Sequence, residues 1–191
     1  MKNYDIKKIR KEMEKAQDAK RFEHTLGVAY TAAALAMCNQ TDSEKALVAG
    51  LLHDCAKCIR NEKKISICEK HHIPISDIER QNPFLLHAKA GRYIARKKFQ
   101  IHDDDILNAI LYHTTGRPEM SELEKIIYIA DYIEPGRKHA DNLAKIRKLA
   151  FQDLDAALLV ILNNILDYLH SIDSPIDPMT QKTYDYYKKE I

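Results

Sequence analysis

The chain contains no tryptophan, only five glycines and six prolines, and no apolar run long enough to cross a bilayer. Its longest apolar stretches, Ala32 to Cys38 and Ala156 to Leu162, fall well short of the roughly 18 residues a span requires, so no transmembrane segment is expected. An excess of one charge is missing too. Lys plus Arg at 30 against Asp plus Glu at 28 leave a formal net charge of +2, too little for a global footprint for nucleic acid or anionic lipid. Any affinity for an anion must be local. No P-loop, G-x-S-x-G or dinucleotide-binding glycine pattern occurs, which removes the commonest ATPase, serine hydrolase and dehydrogenase readings. Four cysteines (Cys38, Cys55, Cys58 and Cys68) come without a basic-then-apolar leader, in a chain too long to need a disulfide framework. A reducing cytoplasm is expected. Cys55 and Cys58 spell CxxC, but without a second pair or a βαβ pattern they read as packing residues.

What the chain does have is helical spacing. Its 191 residues, 45% hydrophobic and 30% charged, suit one domain with an ample core, and nearly every stretch between glycines and prolines repeats its apolar residues at the 3.6 period. The fold class is all-α. Helices are expected from Tyr4 to Ala16, from Arg21 to Cys38, and from a Thr41/Glu44 capping box to near Arg60. A short charged helix before Pro74 follows, then one from Pro83 to Phe99, and one opened by Asp103, Asp104 and Asp105, whose charges suit a helix N-terminus. Ser121 with Glu124 forms a second capping box before the apolar segment ending at Pro135. One long amphipathic helix from Asn142 to Ile172 and a Tyr-rich C-terminal helix complete the chain.

Nine histidines are the feature composition does not explain. His71, His72, His102, His139 and His170 sit among polar residues or near helix ends, whereas His24, His53, His87 and His113 each belong to an apolar face or close one. Asp54 follows His53 at the end of the apolar run from Ala46 to Leu52. Asp131 lies inside Ile126 to Ile133, with no Lys or Arg within helical reach, so a cation must come from elsewhere in the fold. Four imidazoles and two carboxylates, without thiolate, form a ligand set for Fe, Mn, Co or Zn. Six donors exceed the roughly four that one structural zinc takes, so two metals sharing a carboxylate fit better.

In order, His24, His53 with Asp54, and Asp131 resemble the H…HD…D signature of the HD superfamily of metal-dependent phosphohydrolases, and His87 with His113 resemble its two-metal members. The segments RFEHTLGV, GLLHDCAK, HA, HTTG and ADYIEPGR are similar to those of the YqeK-type family of bacterial symmetrical diadenosine tetraphosphate hydrolases. The resemblance implies an HD-domain helical bundle with an extra C-terminal helical region: one domain over 1–191, its metal-site core at about 20–135 and a helical extension at 140–191. It implies one metal on His24, His53, Asp54 and Asp131, a second on His87 and His113 with Asp54 bridging, and iron as the ion. Diadenosine tetraphosphate would then be cleaved to two ADP by attack of a metal-bound hydroxide, since paired cations polarise phosphoryl oxygens and acidify water. Lys57, one helical turn after His53, is the candidate to neutralise the phosphate chain, and Arg21 and Arg137 are candidate phosphate clamps. The resemblance also places Thr180 near a nucleotide. The implied partner is a small nucleotide, with no nucleic acid and no membrane, and a homodimer stays open. Another HD-type nucleotidase, a di-iron oxygenase and a nucleotide sensor are the alternative readings.

Overall fold

Side chains that accept hydrogen bonds from free backbone N–H groups set most helix starts in the computed structural model, which describes residues 4–138 and 142–190. His139 lies outside the described residues. Among them are eleven α-helices, one 3-10 turn and no strand: α1 (Ile6–Ala16), α2 (Ala19–Cys38), α3 (Ser43–Leu52), α4 (Asn61–Lys70), α5 (Asp77–Gln81), the turn Pro83–Leu86, α6 (His87–Lys98), α7 (Asp104–Tyr112), α8 (Glu122–Ile133), α9 (Leu143–Ala150), α10 (Leu154–Ser171) and α11 (Pro178–Glu190). The Ser121/Glu124 capping box forms as expected, and Asp103 caps α7 by accepting from the N–H groups of Asp105 and Ile106.

Three expectations about helix ends are corrected. Asp42, not Thr41, caps α3, accepting from Glu44 and Lys45, while the Thr41 hydroxyl donates to the Asn39 carbonyl. That helix stops at Leu52 rather than Arg60, and residues 53–59 continue in tighter turns, with N–H groups bonding carbonyls three residues back at Cys55, Lys57 and Ile59. The long C-terminal helix is two helices. The N–H groups of Gln152 and Asp153 both bond the Leu149 carbonyl, and the Asp153 side chain restarts the chain by capping α10. Apolar periodicity runs through Phe151 to Asp153 unbroken and so hides the bend.

Helix α8 is the central element and packs against α2, α3, α7, α9 and α10. Its Ile126, Ile127 and Ile129 are fully buried, each such burial stabilising the fold by roughly 1.5–3 kcal/mol. Small residues bring α2 and α3 together: Ala29, Ala32, Ala46 and Ala49 are buried, and a Cβ on Gly50 would stand 2.6 Å from the Ala29 Cα. Close approach of these two backbones sets how near His24 on α2 can come to His53 at the end of α3.

Candidate metal centre

Three of the four inward histidines are oriented by the same local bond. The ring Nδ1 of His53 lies 2.7 Å from the Gly50 carbonyl, that of His87 2.8 Å from Phe84 and that of His113 2.7 Å from Ile110, in each case three residues back. A carbonyl only accepts, so Nδ1 carries the proton and Nε2 keeps its lone pair, the tautomer a metal requires. The Gly50 and Ile110 carbonyls belong to the last turns of α3 and α7, where helical N–H partners run out, so these imidazoles also serve the helix ends that carry them, while the Phe84 carbonyl accepts from both the ring and the backbone N–H of His87.

His24 comes from the interior of α2 and is oriented differently. Its Nδ1 donates to Glu134 Oε1 at 3.2 Å, and its Nε2 stands 3.1 Å from Asp131 Oδ1. His24, His53 and Asp131 place their ligand atoms within 4.8 Å of one another, and Asp54, His87 and His113 do the same. Asp54 faces both sets: Oδ2 is 3.6 Å from His53 Nε2, and Oδ1 is 3.4 Å from His87 Nε2 and 3.5 Å from His113 Nε2.

The donors present fit metal cations. His87 Nε2 and His113 Nε2 stand 3.2 Å apart, and since both carry lone pairs neither donates to the other. Lys57 Nζ donates to His87 Nε2 at 3.2 Å, placing a cation at that point. His24 Nε2, His53 Nε2 and Asp54 Oδ1 are buried without a hydrogen-bond partner, a costly arrangement that a bound cation would relieve. Burial keeps His53 below its ordinary pKa, and burial together with His113 and Lys57 pushes His87 down to about 3, so both rings are neutral at pH 7. For Asp54 burial alone would raise the carboxyl, but it is held well below the carboxylate range, and the Arg21 guanidinium donates to its Oδ2 at 2.8 Å. Asp131 is likewise held low against its burial, chiefly by its contact with His24.

The HD domain family matches residues 21–136. The chain is 41% identical over 166 residues to a symmetrical bis(5'-nucleosyl)-tetraphosphatase of Bacillus subtilis, covering 87% of this chain and 88% of that one. A protein of the same description from Halalkalibacterium halodurans is 43% identical, covering 86% and 87%. This chain belongs to the HD domain family. A crystal structure of a predicted HD superfamily hydrolase involved in NAD metabolism from Clostridium acetobutylicum is 42% identical, with a TM-score of 0.94 over 98% of this chain and 99% of that one. HD domains bind divalent metals, and the paired His/Asp clusters are the part of this HD domain suited to do so.

The six residues expected as ligands are thus brought together, and three cations surround them. Arg21 Nη1 donates to Asp54 Oδ2 at 2.8 Å, Lys57 touches His87, and Arg137 Nη2 donates to the Asp131 carbonyl at 2.8 Å and lies 3.3 Å from its Oδ1. Asp131 therefore finds its cations outside its own helix, and its side chain, 24% exposed, reaches a cleft instead of being sealed off as its apolar neighbours suggest. Thr180 is not brought to the cluster. It is buried in the first turn of α11, its N–H bonds the Asp177 carbonyl, and it does not line the clefts that reach His24 and Asp131. His71, His72, His102 and His170 are exposed. Cys55 is buried with its thiol on the Gly91 carbonyl and its pKa pushed up by burial to about 12, while Cys58 is exposed.

Two positioning residues escaped the sequence reading. Glu134 is buried against His24, and it occupies a notch that two glycines leave open: a Cβ on Gly27 would stand 2.5 Å from its Oε2, and one on Gly136 2.9 Å. Arg147 of α9 holds the loop that carries Glu134 and Arg137, donating to the carbonyls of Ile133 (2.9 Å), Glu134 (2.8 Å) and Arg137 (3.1 Å). The glycines at 27 and 136 were the available signal for Glu134. Nothing in the spacing pointed to Arg147.

Proposed function

We propose that this chain is a two-metal phosphohydrolase that cleaves diadenosine tetraphosphate symmetrically into two ADP. The observation that carries the reading is Asp54, a buried carboxylate that offers one oxygen to each of two histidine-containing sets. His24, His53, Asp54 and Asp131 would hold one ion, and Asp54, His87 and His113 the other. When bound, such ions supply Lewis acidity at phosphoryl oxygens and acidify water. We assign iron, with Mn, Co and Zn suiting the same nitrogen and oxygen donors.

The protein's own groups then handle charge and position. Lys57, against His87, sits where an ammonium meets an oxygen of the phosphate chain, and Arg137 offers a guanidinium beside Asp131. Arg21 holds Asp54 in its two-sided orientation and keeps a positive charge next to the reacting phosphates. Thr180 would act on a nucleotide only through α11, whose Thr183 donates to the Thr115 carbonyl beside His113. One water is consumed: its oxygen ends on one central phosphate, the bridging oxygen leaves with the other, and protons go to solvent.

The names of the Bacillus and Halalkalibacterium relatives support the substrate. No helix among the described residues is long and apolar enough to cross a membrane, and four free cysteines fit the reducing cytoplasm we propose for it. We read 20–135 as the part carrying the site and 140–191 as its helical extension. Chromatography of products from iron-loaded protein and diadenosine tetraphosphate tests the function. Two ADP per substrate are expected. ATP plus AMP, or intact substrate beside hydrolysed monophosphates, would overturn it in favour of another HD-type nucleotidase.

A further inference from the structure

Two clefts reach residues of the His/Asp cluster. One, about 850 Å³, lies between α8 and α10 and includes His113 and Asp131. The other, about 1070 Å³, runs along α2 and includes His24. They adjoin at the cluster, where His24 Nε2 is 3.1 Å from Asp131 Oδ1, and Arg137 lines both. Each is of the order of a small-molecule site, about 300–1,000 Å³.

The clefts share a second property. The wall of each carries a solvent-exposed tyrosine: Tyr168 on α10 is 62% exposed and Tyr30 on α2 is 56% exposed. Tyr168 follows Asn164 by one turn on the face of α10 that lines its cleft, and Tyr30 lies six residues along α2 from His24 and lines the same cleft as it does. The α8/α10 cleft also includes Tyr128, whose hydroxyl is buried without a hydrogen-bond partner and, with its pKa raised by burial, stays a donor at neutral pH. A large ring at the surface of a cleft costs hydration unless something stacks on it, and every nucleobase offers a π face.

We infer that the two clefts are separate nucleoside subsites, with Tyr168 and Tyr30 as stacking platforms for the two bases of one dinucleotide. This inference rests on the proposed substrate. The phosphate chain would cross the cluster at Arg137, with one half in each cleft, so the cut falls centrally because each side of the cluster accepts the same half-molecule. Tyr128 would donate to the half lodged between α8 and α10.

Calorimetric titration of the metal-replete full chain with ADP tests the inference without turnover. Two ADP per chain are expected. Tyr30→Ala and Tyr168→Ala should each weaken one of the two by about tenfold, since base stacking on an aromatic carries an effect of that order. Affinity for inorganic tripolyphosphate, which has no base, tells a lost platform from a damaged cluster, and melting temperature reports the fold. One ADP per chain, or two whose affinities neither variant changes, would overturn the inference. Two ADP per chain in a protein that leaves diadenosine tetraphosphate intact would uphold the subsites and refute the proposed reaction.

Discussion

His24 and the other three inward histidines do the same job by different means. His53, His87 and His113 take their orientation from a carbonyl three residues back, so each carries its geometry within one helical turn. His24 takes its orientation from Glu134, 110 residues away, and depends on Gly27 and Gly136 to make room and on Arg147 to hold the loop. The first arrangement is cheap and rigid. The second ties the site to the packing of α2 against the end of α8, so distant changes reach the cluster through it.

The bluntest way to test this division is to remove the residue common to both sets. Asp54→Ala should strip both ions and lower kcat on the order of 10³-fold or more, since metal Lewis acidity supplies several kcal/mol. His113→Ala should instead weaken one ion. Metal quantification after gel filtration reads both variants, and equal retention of two ions in either would sink the bridging role. Glu134→Gln comes next. It keeps the shape but removes the charge behind His24, and loss of such a supporting group lowers metal affinity about 10- to 100-fold. The loss should fall on the ion held by His24 alone.

Acid should separate the two sets as well. Burial by itself would lower the His24 pKa, but Asp131 and Glu134 raise it above the usual value of about 6.5. In the metal-free protein, protonated His24 therefore adds stability that is complete below about pH 6.5 and is lost as pH rises through the raised value. Metal binding has the opposite sign because it needs the neutral ring. Dialysis from pH 8 towards pH 5 should release the ion on His24, His53 and Asp131 first, while His87, held near 3, stays neutral. Simultaneous release would contradict the division. The smallest effect lies away from the cluster: Asp103→Ala removes the cap of α7 and the Lys45 ion pair at 2.8 Å, and should cost about 0.5–2 kcal/mol in denaturant unfolding. Because the Asp103 pKa is depressed despite some burial, through its bonds to Lys45 and the α7 N–H groups, its contribution is present above about pH 3.9 and is lost as pH falls through the lowered value. Metal content should not change.

The locally determined parts were the ones the sequence revealed. Ser121 with Glu124 and the run of aspartates at 103–105 marked helix starts because a cap is a matter of three or four adjacent residues. The ligand histidines stood out because a polar group on an apolar face is visible in the spacing. The end of α3 did not, because a ring bonding its own helix's carbonyl leaves no trace in periodicity. Glu134 was passed over for a related reason: a carboxylate just before Pro135 looks like an ordinary helix terminus until α2 is packed against it. Arg147 lies in a segment whose apolar spacing describes only the face turned to the core.

The carbonyl-bonded imidazoles have one more consequence. Their rings are oriented by the chain's own carbonyls, bonds that need no ion, so binding one would incur little ordering entropy. Nitrogen and oxygen donors without thiolate suit several first-row ions, so metal availability acts beside geometry and ligand type in choosing among them. The ion carried would then depend in part on the free concentrations a cell maintains, and a change in supply would exchange it without refolding.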